Sequence, residues 1–198
     1  MSGSDGLGHP IDVMYLIHKA LRSDASRVVA VAESLEAGDS LQSFKLAFNT
    51  WATALIYHAE QEDRHIAEKV KTQIAALEED LHQELVESIQ DVLNMLNDEI
   101  GKTSVIARTK NHLHRQVVAL SVAQEDHLET EESLVLPVVR RQMSERQQLE
   151  LARDLLLDRE ADDPRWGMDW VVRDLEPSER ESLARMEQRF EQLPTPAA

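Results

Sequence analysis

The sequence predicts an all-α protein, an up-down-up-down four-helix bundle followed by a C-terminal helical extension. Two observations predict this class: no stretch shows the alternating pattern of a strand, and glycine and proline are scarce. Between Ile11 and Leu136 there is no proline, and the only glycines are Gly38 and Gly101. Because these two residue types most often interrupt helices, we expect this stretch to be almost entirely helical. Four antiparallel helices joined by short turns make such a bundle.

Local signals predict where the bundle helices begin and end. The turn around Gly38 ends the first helix and the turn around Gly101 ends the third, whereas no clear stop lies between Val70 and Glu78. The predicted helices span residues 11–36, 41–70, 78–98 and 104–141. We divide the chain into a flexible N-terminus (1–10), the bundle (11–141) and the extension (142–198).

The extension carries its own helix signals. Pro137 is expected to kink or fray the last bundle helix shortly before the extension begins. Ser144 and Gln147 have the form of a capping box, which predicts a helix to about Asp158. A loop is predicted over 161–167, followed by a charged amphipathic helix over 178–193. We favour packing of its apolar side on the bundle as a lid, over a dimer or partner surface.

The composition excludes several classes of function. There are 21 basic and 37 acidic residues, a formal net charge of −16, which argues against nucleic acid or an anionic membrane as partner. The chain has no cysteine, which excludes disulfides, thiolate zinc sites and cysteine-ligated iron–sulfur clusters. No apolar run is long enough to span a membrane, and the first residues lack the features of a secretory signal. We expect a cytoplasmic protein.

Each predicted bundle helix carries one histidine on its apolar face. These histidines are His18, His58, His82 and His127. Apolar residues at steps of three, four and seven share the face of each histidine. With His18 these are Met14, Leu21, Ala25, Val29 and Ala32; with His58 they are Phe44, Phe48, Trp51, Ala54 and Leu55. With His82 they are Leu85, Val86, Ile89, Leu93 and Leu96; with His127 they are Val117, Leu120, Ala123, Leu134 and Val135. On two helices a glutamate follows the histidine by four residues, and these are Glu62 and Glu131.

The two halves of the bundle repeat one plan, a lone histidine followed by a His-x-x-x-Glu motif. Together they bring four imidazoles and two carboxylates to one depth in the bundle. Buried carboxylates close to one another are costly, and cations remove that cost. Imidazole and carboxylate ligands without sulfur suit iron or manganese. The alternative for any single histidine is a hydrogen-bonded core residue, and for the whole set a bundle without metal.

These residues resemble the hemerythrin-like, or HHE cation-binding, family of four-helix bundles that hold a non-heme di-iron centre. The resemblance covers roughly residues 11 to 141. Its most specific part is the run His127-Leu-Glu-Thr-Glu131-Glu132-Ser-Leu-Val-Leu-Pro137. The family's first-helix motif is matched by Ile17-His18-Lys-Ala-Leu21, and its second-helix motif by His58-Ala-Glu-Gln-Glu62-Asp63. Its third-helix motif is matched by His82-Gln-Glu-Leu.

The resemblance implies a metal site and a ligand set. It implies that Glu62 and Glu131 bridge two iron ions joined by an oxo or hydroxo group, with manganese as a possible substitute. The remaining ligands it implies are His18, His58, His82 and His127.

The sequence departs from the oxygen-carrying members at two positions. Glu78 stands where they have a second third-helix histidine, which favours the ferric state or leaves a coordination position open. Their fourth-helix carboxylate lies five residues after its histidine, at Glu132 here. A helix turns ~100° per residue, so Glu131 stays on the face of His127. We therefore prefer Glu131 to Glu132 as the fourth-helix carboxylate ligand. The first departure favours redox chemistry over reversible oxygen carriage.

Other polar residues lie near the predicted site. The pairs Glu62-x-x-His65 and Glu79-x-x-His82 resemble ferritin-like motifs, but they fit poorly because they lie across a single turn. Whether Glu78, Tyr15, His65 or Glu132 joins the site is left open, with His65 favoured as a rim residue. Three further histidines are interpreted as structural or solvent-exposed: His9, His112 and His114.

We therefore expect a di-iron protein that binds or reduces a small oxidant: dioxygen, hydrogen peroxide or nitric oxide. Catalase-like decomposition of peroxide is the enzymatic version that we rank first, because no other catalytic motif is present and the metals would have to do the chemistry. The alternative is an oxygen, nitric oxide or iron sensor, or an iron-handling protein for storage, donation or repair. The expected partner is a diatomic or peroxide ligand, and the expected state is a monomer or homodimer.

Overall fold

The computed structural model describes residues 7–66, 73–99 and 107–193, and within these ranges the regular elements are all helical. This confirms the predicted all-α class. After a 3-10 turn at Pro10–Asp12, the chain forms α1 (Val13–Ser34), α2 (Gln42–His65), α3 (Gln73–Glu99) and α4 (Ala107–Thr130). A π-helical segment follows at Glu131–Val135, and then α5 (Leu136–Gln142), α6 (Glu145–Leu156), α7 (Trp166–Val172) and α8 (Pro177–Phe190). None of the described helices is long and apolar enough to cross a membrane.

The long helices follow the predicted spans with differences at their ends. The second helix was predicted to reach residue 70 but ends at His65, and α3 begins at Gln73 rather than at 78. Residues 67–72, between these helices, fall outside the described residues, as does the turn around Gly101. Gly38 adopts a φ of 104°, the left-handed conformation that allows the chain to turn between α1 and α2.

The fourth predicted helix, 104–141, is divided by the π-helical segment. Pro137 has no N–H, and in a regular α-helix its ring would crowd the carbonyl group of Ser133 four residues earlier. A π-helical turn has more residues per turn than an α-helix, and this segment ends two residues before the proline. We attribute the interruption to this proline, which was expected to kink or fray the helix.

The extension contains one helix more than predicted. The capping box of α6 is confirmed: Ser144 Oγ accepts from the Gln147 N–H at 3.3 Å, and Gln147 Oε1 accepts from the Ser144 N–H at 2.9 Å. The predicted loop 161–167 was wrong at its end, because α7 begins at Trp166. At Gly167 a Cβ atom would lie 3.0 Å from the carbonyl oxygen of Leu156, so glycine allows α7 to approach α6 closely.

Contacts between Cα atoms divide the chain into two compact units. The first comprises Met1–Ala20, Gln61–Lys71 and Glu131–Ala198. Within it α6 packs on the 3-10 turn, α7 and α8. The apolar side of α8 is buried through Leu183, Met186 and Phe190, so this face of the extension packs within the unit.

The second unit comprises Leu21–Glu60 and Thr72–Thr130, and in it α3 packs against α4. The buried apolar residues of α3 recur at alternating steps of four and three: Leu85, Ile89, Val92 and Leu96. The prediction for Val86 was wrong, because this side chain is 45% exposed. The stripe of α3 residues that packs is narrow. It excludes Val86 and includes Val92, which was not predicted.

One polar pair lies inside the core of the second unit. The indole Nε1–H of Trp51 donates to Gln124 Oε1 at 2.6 Å, and both side chains are buried. The Trp51 ring also packs edge-on against Phe48, with ring centroids 6.1 Å apart. Gln124 was not among the predicted core residues. Its amide satisfies a donor that would otherwise be costly to bury.

We predict that Gln124→Leu destabilises the protein by about 1–3 kcal/mol, because the buried Trp51 N–H loses its acceptor. The free energy of unfolding, measured by urea denaturation, tests this prediction. Gln83→Leu is the control, since Gln83 is exposed and its bond to Glu87 is of a kind worth only about 0.2–0.5 kcal/mol. A Gln124→Leu variant as stable as the control would contradict the prediction.

Candidate metal centre

The six residues predicted as ligands are all buried, and each is at most 4% exposed. His18 lies on α1, His58 and Glu62 lie one turn apart on α2, and His82 lies on α3. His127 lies on the last turn of α4, and Glu131 is the first residue of the π-helical segment. Positions four apart on a helix lie on one face, so each His-x-x-x-Glu motif presents its two side chains in the same direction.

The donor atoms of these residues form two groups of four. In each group, one donor atom from every residue lies within 4.8 Å of the donor atoms of the others. The first group is His18, His58, Glu62 and Glu131. The second group is Glu62, His82, His127 and Glu131. The structure thus brings all six residues together, with both glutamates common to the two groups. Their roles as metal ligands stay a prediction.

The contacts among the imidazoles and carboxylates are close. The rings of His82 and His127 lie edge to face with centroids 4.7 Å apart, and those of His58 and His127 are 6.5 Å apart. His18 Nε2 lies 3.0 Å from Glu131 Oε2, and His18 Nδ1 lies 2.8 Å from Glu132 Oε1. Each nitrogen of His18 therefore faces a different carboxylate.

The electrostatics of the cluster favour a positive charge. Burial by itself lowers the pKa of His18, but hydrogen bonds to Glu131 and Glu132 and the negative charge of these carboxylates outweigh it, so the pKa is raised. Two buried carboxylates stabilise whatever cation lies beside them, and this cation can be a proton or a metal ion. The donor set, imidazole nitrogen and carboxylate oxygen without sulfur, fits iron or manganese.

Three of the four residues whose participation was left open, Tyr15, His65 and Glu132, lie outside both groups. Tyr15 is 37% exposed, and its hydroxyl accepts a hydrogen bond from Arg140 at 3.1 Å. His65 is half-buried at the end of α2. Glu132 reaches the outer nitrogen of His18. The side chain of Glu78 falls outside the described residues.

The remaining described histidines lie at or near the surface. His9 and His112 are exposed and His114 is half-buried. Leu134, predicted on the face of His127, is 46% exposed, so that prediction was wrong. It lies within the π-helical segment, where the angle between successive residues differs from that of an α-helix. The contact of Glu132 with His18 was also missed, and Pro137 was the signal that the regular helix would be interrupted there.

Comparison with known protein families supports the same interpretation. The family model of the Hemerythrin HHE cation binding domain matches residues 9–139. The chain belongs to this family. No curated protein and no solved structure gave a significant match. The matched region of this HHE chain contains all six residues of the two groups, whereas α6, α7 and α8 follow it. The HHE domain and the buried His/Glu cluster together indicate a metal-binding protein.

We predict that loss of a shared glutamate removes more metal from the HHE chain than loss of a histidine. Glu62→Ala or Glu131→Ala removes a donor from both groups and should leave less than one iron per chain. His82→Ala removes a donor from one group and should leave about one. Iron content after anaerobic ferrous reconstitution, measured by atomic emission, tests this order.

Glu129→Ala is the matched control for these variants, because Glu129 is exposed and lies two residues before Glu131. It should retain the full wild-type iron content. Equal iron content in the Glu131→Ala and Glu129→Ala proteins would contradict the prediction. A metal-free scaffold would instead be stabilised by removal of the buried carboxylates.

Proposed function

We propose that this chain is a non-heme di-iron protein, built as an up-down-up-down four-helix bundle, that binds or reduces a small oxidant. The observation that carries the proposal is the sharing of Glu62 and Glu131 between two four-residue donor groups. Two carboxylates common to two groups of imidazoles are an arrangement suited to bridging a pair of metal ions. A single ion would use one group, and the two histidines of the other group would then be buried without a metal ion to bind.

Two bound ions would share the six side chains of the two donor groups. His18 and His58 would hold one ion and His82 and His127 the other, while Glu62 and Glu131 would bridge them. Each group supplies four protein donors, which leaves coordination positions for a small ligand. When bound, two adjacent iron ions supply the electrons that reduction of an oxidant consumes.

The surroundings of the cluster favour small, uncharged oxidants. On α2, the turns before His58 carry the buried apolar side chains of Phe48, Trp51 and Leu55, which would restrict the access of water. The net charge of −16 repels anions, which disfavours anionic substrates relative to dioxygen, peroxide or nitric oxide. Glu62 and Glu131 add negative charge at the centre itself.

The enzymatic version that we propose is catalase-like decomposition of hydrogen peroxide. Two molecules of peroxide give one of dioxygen and two of water, so the reaction needs no further reductant. The residues of this chain would hold the ions and exclude bulk water, and the metals would supply the redox chemistry.

We predict that the iron-loaded chain releases one dioxygen for every two peroxides consumed. An oxygen electrode measures the release, with a chelator present to suppress free iron. Glu131→Ala should abolish the activity, and Glu129→Ala should preserve it. If the iron-loaded wild-type protein releases no dioxygen from peroxide, the catalase-like version is refuted.

The same preparation separates the alternative functions. A reversible change of the visible spectrum on addition of dioxygen or nitric oxide, without turnover, would favour a sensor. Transfer of iron to an acceptor would favour iron handling. The cytoplasmic location and the monomeric or homodimeric state stay predictions.

A further inference from the structure

His18 is held at both ring nitrogens by two consecutive carboxylates. Its Nε2 lies 3.0 Å from Glu131 Oε2 and its Nδ1 lies 2.8 Å from Glu132 Oε1. The histidine is fully buried, Glu131 is 1% exposed, and Glu132 is 25% exposed. The inner nitrogen therefore faces the donor groups, while the outer nitrogen faces a partly solvated carboxylate.

Two consecutive residues of a regular α-helix rarely reach the same ring, because ~100° of rotation separates their side chains. Glu131 and Glu132 are the first two residues of the π-helical segment, where the rotation per residue is smaller. The segment ends two residues before Pro137. The π-helical turn thus allows one carboxylate to join the donor groups while its neighbour reaches around to the outer nitrogen.

The backbone around His18 is anchored independently of these carboxylates. Lys19 Nζ donates to Glu179 Oε2 of α8 at 2.6 Å. One to two turns earlier, Arg140 of α5 donates to Asp12 at 2.7 Å and to Tyr15 at 3.1 Å. These contacts hold the helix on both sides of His18, and the ring of His18 itself contacts Glu131 and Glu132.

We propose that Glu132 is a positioning residue that fixes the tautomer and orientation of His18. It accepts a hydrogen bond from Nδ1–H, which leaves the lone pair of Nε2 directed toward the donor group of Glu131. A carboxylate bound to the outer nitrogen of a ligating imidazole holds the ring and makes it a stronger donor. This inference rests on the proposed di-iron function, since the lone pair of Nε2 has its purpose in binding a metal ion.

The exposure of the two carboxylates agrees with this division of roles. Glu132 keeps part of its hydration, so its charge costs less to maintain than that of the buried Glu131. It also lies outside both donor groups. The competing role is that of a direct ligand, the role that the resemblance to oxygen carriers assigns to the fifth position after the histidine.

Three variants distinguish positioning from direct ligation: Glu132→Gln, Glu132→Ala and the control Glu129→Ala. We expect Glu132→Ala to weaken ferrous iron binding by about 10- to 100-fold, as for other outer partners of ligating histidines. Glu132→Gln keeps an oxygen that accepts from Nδ1–H, so its loss should be clearly smaller. A direct ligand would lose as much with glutamine as with alanine, and that result would overturn the inference.

Nuclear magnetic resonance of the ring nitrogens gives a second readout. Its signals would not change on substitution of Glu132 if that residue had only a structural role. Zinc is the diamagnetic probe, and the His18 signals are assigned by their absence in His18→Gln. The wild-type and Glu132→Gln proteins should carry the proton on Nδ1 of His18. In Glu132→Ala we expect the Nδ1–H resonance to weaken or shift toward that of a solvent-exposed imidazole.

The outcomes separate this inference from the proposed function. If the wild-type chain binds two metal ions, and Glu132→Ala matches Glu129→Ala in affinity and in the His18 signals, the positioning role is wrong while the di-iron function stands. If the wild-type chain binds no metal, the proposed function fails and this inference fails with it. Far-ultraviolet circular dichroism tests whether the variants are folded. If Glu132→Ala does not fold, Glu132→Gln, which preserves the shape of the side chain, still tests the inference.

Discussion

The burial of two carboxylates is the constraint on which the rest of the centre depends. Glu62 and Glu131 lie among helices whose other inward residues are mostly apolar, and neither is more than 4% exposed. Ionised groups in such a place need compensating positive charge. The four imidazoles lie beside these carboxylates, and a cation held by the two donor groups would supply that charge and so stabilise the fold. The family match and the shared position of both glutamates point to the same centre.

The π-helical segment adapts a regular helix to this task. It begins at Glu131, one of the two glutamates common to both donor groups, and it precedes Pro137, which cannot continue the α-helical hydrogen bonding. The interruption places Glu131 and Glu132 on the two nitrogens of one ring. The π-helical segment interrupts the regular α-helical hydrogen bonding and brings two carboxylates into contact with one histidine. For this reason we regard the segment as functional.

The extension contributes to the same region from outside the family match. Residues after 139 form α6, α7 and α8, and within the first unit they are tied to the beginning of the chain by Lys19 and Glu179. Through this contact the extension holds the turn of α1 that carries His18. The burial of its apolar side chains agrees with a helix that packs on its own chain.

The sequence by itself determined the all-α class and the family. It also predicted the candidate residues of the centre, because helical spacing places residues four apart on one face whatever surrounds them. His58 and Glu62, or His127 and Glu131, could therefore be paired without a structure. Only the tertiary structure decided what depends on contacts between distant segments: the exposure of Val86, the bond from Trp51 to Gln124, and the reach of Glu132 to His18. Periodicity describes one helix at a time, so it gives neither the width of a packed stripe nor the turn at which a helix becomes irregular.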